Sequence, residues 1–301
     1  VFELRGKKDA AHVALEMLAS YEGRQAELHG ANERAFDQRL DDLLAPEVLT
    51  PALRALLRKT GEALDVAAQI DLRALKAGAL PPEAPVSRLA TAVSHVLGMG
   101  PVQVLASPKV GPTCLPVSSS PPTILLGEAL LQNERLASFV VLRALKLVSA
   151  KACAFGRTHP AELAVLVSAW LKCFNPTWQP QGINPAALNA AGGRVQAALP
   201  RNLDPDVGVI ALEVAGNLGT QAATLGPNAL AWGNRVALLA MGDPNAALDA
   251  IAGAAGQPAG APRDPSERAT WIGRNPEARD LVSFAVSDSF AEARARLGLG
   301  G

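Results

Sequence analysis

The sequence is poor in aromatic residues, charge and cysteine. Phe, Trp and Tyr together make up 4% of the chain, and Tyr occurs once. Strands draw on aromatic and β-branched side chains, so an aromatic-poor chain dominated by alanine and leucine points to helices. Charged residues are 19% of the total and the formal net charge is zero. That balance removes the electrostatic case for a nucleic-acid partner or an anionic membrane surface. The 3 cysteines, Cys114, Cys153 and Cys173, are odd in number and stand at no metal-binding spacing. Free buried thiols in a reducing, cytoplasmic setting are the expectation. No apolar run reaches the roughly 18 residues of a membrane span. The nearest, Ala161–Phe174, is interrupted by Glu162 and Lys172 and reads as a buried helix. No signal peptide is visible, and the chain starts at Val1, so a fragment or processed piece of a longer protein is the expectation.

What is present is apolar mass. Hydrophobic residues are 49% of 301, enough for a sizeable core. Residues 1–30 read as a repeat-like helical segment, with Gly6 before Leu15 and Leu18 and with Ala14 and Ala19 as small packing residues. This stretch resembles the second helix of a tetratricopeptide repeat, and a lone repeat cannot bury its face without neighbours. Residues 31–85 read as a helical connector, with Phe36, Leu40, Leu43 and Leu44 at helical spacing and Thr50-Pro51 as a helix start. Pro81, Pro82 and Pro85 mark a hinge before a third region, 86–301.

In that region Leu89, Val93, Val96 and Leu97 share one helix face, closed by Gly98 and Gly100. Val102–Ala106, Thr113–Val117 and Thr123–Leu126 are candidate strands of a sheet of about three strands. Pro116 favours an edge position, and Ser118-Ser119-Ser120 reads as a turn. Asn133 caps a helix over 134–151, and Thr158-His159-Pro160 opens another that stops before Asn175-Pro176. Further helices are expected near 184–199, 206–224, 227–241, 243–254, 277–285 and 288–297, with a Gly/Ala/Pro linker at 252–262. The fold class is therefore α+β and mostly helical. Trp170, Trp178, Trp232 and Trp271 are expected as core or interface anchors.

A helix, a short sheet with an edge strand, a helix beneath it and a later helix form the layout of zincin peptidases. Thr123–Leu131 resembles the edge strand and following turn of the HtpX-like gluzincin family, and Asn133-Glu134-Arg135-Leu136 the acidic start of its active-site helix. Asn234–Asp243, followed by Ala246-Ala247-Leu248, resembles its later ligand-bearing helix. The resemblance runs from Val102 to about Ala254. It implies that Leu142 stands at the first His of the His-Glu-x-x-His motif, Arg143 at the Glu and Lys146 at the second His. Leu230 then stands at the glutamate ligand and Asn234 at the Asp of the later helix. Zinc needs N, S or O ligands converging at about 2.0–2.3 Å. Leu142 and Leu230 offer none, and Lys146 brings a positive charge. The 4 histidines, His12, His29, His95 and His159, include no i,i+4 pair.

The expectations that follow are a pseudoenzyme with no catalytic residue, metal or cofactor, acting as a protein-interaction or scaffold module for a protein or peptide partner. The peptide would add to an exposed strand edge, at Thr113, Cys114, Leu115 and Val117 or at Thr123, Ile124 and Leu125, or enter the cleft between the two helices. Lys146, as an ammonium too costly to bury alone, is expected to find a carboxylate or snorkel to solvent, with Glu128 the first candidate acceptor at the rim. Two rival readings are a hydrolase with an unrecognised active site and a helical domain that binds a small molecule or lipid in a closed apolar cavity.

Overall fold

The computed structural model describes residues 38–218, 221–257 and 260–299. The repeat-like segment expected at 1–30, with Phe36 of the connector and two histidines, His12 and His29, lies outside the described residues. What is described is 63% helix with a small mixed sheet of four strands, an α+β arrangement.

The order along the chain is helical, then mixed, then helical again. Helices α1 (Gln38–Leu44), α2 (Pro51–Thr60) and α3 (Glu62–Ala67) lead to a two-residue strand, β1 (Gly78–Ala79). Helix α4 (Pro85–Val96) precedes β2 (Gln103–Ser107), β3 (Cys114–Ser119) and β4 (Pro122–Gly127). Then come α5 (Glu134–Ser149), α6 (Cys153–Arg157), α7 (Pro160–Phe174), α8 (Pro185–Ala198) and α9 (Val207–Leu218). The chain closes with α10 (Leu225–Met241), α11 (Pro244–Ala254), α12 (Pro265–Arg274), α13 (Pro276–Ala285) and α14 (Asp288–Arg296).

One local device starts many of these helices. Thr50-Pro51, His159-Pro160, Asn184-Pro185, Asp243-Pro244, Asp264-Pro265 and Asn275-Pro276 each place a side-chain acceptor on a first-turn N–H, with proline at the first helical position. Proline lacks the N–H that would be orphaned there and presets φ, so the pair both satisfies and initiates the turn. The same signal marks α12, which the sequence reading passed over because it lies beside the Gly/Ala/Pro linker. Sequence-expected helices at 134–151, 227–241 and 277–285 match α5, α10 and α13 to within two residues at each end. On α4 the buried positions are Val86, Ser87, Ala90 and Ser94, while Val96 is exposed, so the expected apolar face is rotated.

The sheet order is β1-β2-β4-β3. β2 runs parallel to β4, and β1 and β3 run antiparallel to their neighbours. β4 is therefore central, which corrects the expectation that Thr123–Leu125 lie at an edge. The fourth strand, β1, was not expected because Gly-Ala carries no strand pattern of its own. Alternation along the strands divides two cores. Val104, Cys114, Ile124 and Leu126 face the main core, while Leu105 and Leu125 join Val110 in a smaller cluster covered by Leu72, Leu75 and Ala77. Both faces of the sheet are thus covered.

The main core runs from Leu40 to Ala293 and draws on residues on both sides of the Pro81–Pro85 segment. At its centre α5 is buried around its whole circumference from Phe139 to Val148, as expected of a helix apolar on all sides. Trp170 of α7 is fully buried and donates from Nε1 to Thr60 Oγ1 at 3.1 Å, tying α7 to the end of α2. Replacing Trp170 with Phe keeps most of the volume but leaves that hydroxyl without its donor. It should lower the unfolding free energy by about 1–3 kcal/mol, read by urea denaturation. No change would show that the indole N–H contributes nothing.

Candidate functional site

The most extensive helix–helix contact among the described residues is between α5 and α10. It holds every position that the gluzincin resemblance singles out. Gly233 makes the crossing close: a Cβ there would lie 2.8 Å from both the carbonyl oxygen and Cγ of Arg143. The two backbones approach closely at this point.

Lys146 is 4% exposed, and its Nζ lies 2.7 Å from Asp41 Oδ1 on α1. Its ammonium also sits over the Trp232 ring, 4.0 Å from the centroid. Trp232 donates from Nε1 to the same Asp41 oxygen at 3.1 Å. The partner is therefore Asp41, not the expected Glu128, which is exposed on the turn after β4. Sequence reasoning missed it because Asp41 lies 105 positions upstream, in the stretch read as a connector. Burial lowers the Lys146 pKa, and the Asp41 carboxylate pulls it back up.

Arg143 is buried as well. Its NH2 donates to Thr113 Oγ1 at 2.6 Å, and its NH1 lies 3.5 Å from Glu277 Oε1 on α13. Asn234 donates from Nδ2 to the same Glu277 oxygen at 2.7 Å. Two buried atoms in this cluster, Arg143 Nε and Asn234 Oδ1, have no partner among the described residues. The structure thus brings Arg143, Asn234 and Thr113 together through Glu277, a residue no sequence motif marked. Leu142 is buried in the main core, and Leu230 is half-buried.

Leu230 and Glu277 line an open groove of about 590 Å3 between α10 and the α12–α13 corner. Pro227, Trp271, Arg274 and Asp280 complete the part that matters: two apolar side walls, a half-buried indole and charges of both signs. Asp280 is held by Arg235 at 2.7 Å, so its position is fixed by α10.

The expected strand edge is occupied. β3 is last in the sheet order, but Arg157 of α6 donates from NH1 to Pro116 O at 3.1 Å. Ser119 donates to Asp65 Oδ2 at 3.0 Å, and Asp65 also accepts from Ala154 N at 2.8 Å. Arg157 further donates to Asp65 O and Ala68 O at 2.9 and 2.8 Å. Leu115 and Val117 pack on the smaller cluster, and Cys114 is buried. Burial raises the Asp65 pKa against the opposing pull of Arg157.

The cysteines are free. Burial pushes the Cys114 thiol up to about 12 and raises Cys153 too. Cys173 is half-exposed rather than buried, and its pKa is also raised by partial burial. His95 and His159 are exposed, the latter capping α7. Among the described residues no group of three or more His, Cys, Asp or Glu is placed to hold a metal ion. No described helix is long and apolar enough to cross a membrane.

No family model matches the chain, and no curated protein or solved structure gives a match. The gluzincin and tetratricopeptide likenesses therefore rest on the residues quoted for them.

Two outcomes follow from the crossing. Gly233→Ala should cost about 1–3 kcal/mol, since the added methyl meets Arg143 backbone. Gly192→Ala on α8, where nothing lies within 4 Å, should be neutral or stabilising. Equal effects in thermal denaturation would refute the close crossing.

For the ion pair, Lys146→Met alone should cost about 3–5 kcal/mol by leaving Asp41 unmatched, and Asp41→Asn/Lys146→Met less than the sum of the single changes. The pH dependence has a definite sign. Below the folded pKa both states hold the Lys146 proton and the burial penalty is fully present. Between that value and the ordinary 10.5, the unfolded chain binds more protons, so stability rises with pH. The wild type should therefore gain on the double variant as pH approaches 10.5, measured by denaturant titration. A gap that does not move with pH sinks the assignment.

Proposed function

We propose that the chain is a non-enzymatic protein-interaction module on a degenerate zincin-like scaffold, working in the cytoplasm and receiving a peptide segment of a partner protein. The observation that carries this is the state of the α5–α10 crossing. The positions at which the gluzincin resemblance would place a base and two ligands hold Arg143, Leu142 and Lys146, and both charged groups are committed to internal partners. Three cysteines without a disulfide among them agree with a reducing compartment.

The receiving surface is the groove beside that crossing rather than the strand edge. Addition of a strand to β3 would require displacing Arg157 from Pro116, and with it a guanidinium that holds three carbonyls. The groove needs no such rearrangement. Trp271 and Leu230 offer an anchor for an apolar side chain, and tryptophan is enriched among residues that dominate binding energy. Arg274 and Glu277 at the wall offer polar pairing for the peptide flanks.

Selection of a displayed random-peptide library on the purified chain should enrich a family of sequences sharing one apolar position. Affinity for the enriched peptide should fall at least tenfold in Trp271→Ala and in Gln257→Arg, both groove positions. Metal content by mass spectrometry should show no stoichiometric zinc, with an unchanged melting temperature after chelation. One tightly held zinc per chain with destabilisation on chelation would overturn the non-enzymatic reading. Enriched peptides indifferent to both substitutions would remove the groove from it.

A further inference from the structure

Helix α9 turns an apolar stripe outward. Val209 is 69% exposed and Leu212, on the next turn, 53%. No other described helix exposes two large apolar side chains. Gly216 continues the stripe; it is exposed, and a Cβ there would meet nothing within 4 Å. Glycine is unfavourable inside a helix, and here it leaves room for a second backbone to approach.

Each end of the stripe carries its own marker. At the start, Asp204 and Asp206 share the one ammonium of Lys59, at 2.5 and 3.2 Å, so one negative charge is left over. Glu213 adds another on the exposed flank. At the end, a concavity of about 230 Å3 lies between the last turn of α9 and residues 47–53. Val48, Leu53 and Leu218 give it apolar walls, and Thr50, Asn217 and Gln221 polar ones.

The chain itself holds a segment whose sequence fits this face. Residues 1–37 lie outside the described residues. In their sequence Ala11, Leu15 and Leu18 recur at helical spacing, with Asp9, His12, Glu16 and Ser20 on the opposite side. Arg5, Lys7 and Lys8 precede that stripe, and Tyr21, the only tyrosine, follows it.

We propose that residues 5–21 dock on the exposed face of α9, running parallel to it. Lys7 and Lys8 then meet the surplus charge at Asp204 and Asp206, and Leu15 and Leu18 cover Leu212 and Gly216. Tyr21 reaches the concavity, whose mixed walls suit a ring with a polar tip. The lengths agree: Lys8 to Tyr21 spans about 20 Å in helical geometry and Asp206 to Leu218 about 18 Å. The chain path agrees too. Helix α1 ends at Leu44, three residues before Glu47 on the concavity wall. Residues 22–37, which reach about 50 Å when extended, have only to return from that end of α9 to Gln38. A second copy of the chain is the poorer occupant, because it would set one acidic flank against another. None of this involves the groove at Trp271, so failure of either reading leaves the other standing.

The test is limited trypsin digestion of the full chain, with cleavage after Lys7 and Lys8 followed by mass spectrometry. Docking should slow that cleavage in the wild type, and both Leu212→Glu and Leu15→Glu, one from each side of the contact, should speed it roughly tenfold or more. Leu212 is exposed, so its variant should keep the core. An unchanged tryptophan fluorescence spectrum checks this, since all 4 tryptophans lie between residues 170 and 271. Val286→Glu places the same charge at an exposed apolar position elsewhere and should be cleaved like the wild type. Equal cleavage in wild type and Leu212→Glu overturns the proposal. A wild-type dimer that becomes monomeric in Leu212→Glu, read by sedimentation velocity, also overturns it and gives the face to a second copy.

Discussion

The contact between Lys146, Asp41 and Trp232 organises the centre of the molecule. Helix α5 is buried on all sides from Phe139 to Val148, so the charged residues within that stretch must be matched inside the protein. Lys146 meets that demand by joining three distant parts of the chain: its own helix, the first described helix and α10. Replacing such a pair by apolar residues is often neutral in stability, whereas removing one member is not. Its effect is therefore mainly to fix which helices meet and in what register. Leu40 and Leu44 of the helix that carries Asp41 are buried in the main core.

A second buried polar cluster does for the sheet what the first does for the helices. Arg157 and Asp65 lock α3, α6 and β3 together through carbonyls that would otherwise face an open edge. Exposed edges invite pairing with other chains, and covering them is a common remedy. At β3 the cover reaches the Pro116 carbonyl through Arg157. A surface that looked available from Pro116 alone is sealed by residues 41 and 51 positions away in sequence.

These long-range matches mark the limit of what could be read in advance. Asn133, Thr50-Pro51 and His159-Pro160 announce helix starts because capping is local chemistry, and the observed helices begin there. The strands expected at 102–106, 113–117 and 123–126 are found at 103–107, 114–119 and 122–127, but their order was not legible. β4 is central because β2 joins it in parallel on the side away from the hairpin strand β3. At the candidate site the sequence marked Arg143, Lys146 and Asn234 as unusual charges and amides on apolar helices. Their partners, Asp41, Thr113 and Glu277, are ordinary residues until the fold brings them close.

The filled crossing and the open concavities have a common origin. Placing glycine at 233 lets α10 press onto Arg143, and the volume there disappears. Long cationic side chains then run outward from the crossing, Arg143 towards Glu277 and Lys146 towards Asp41. Each ends at the wall of a concavity: Glu277 on the Trp271 groove, and Lys146 with Asp41 beside Arg54 and Arg58. Two basic residues on one buried helix thus transmit the identity of the core to two separate surfaces. A substitution that loosened the crossing would alter both surfaces together, even though neither includes Gly233 in its lining.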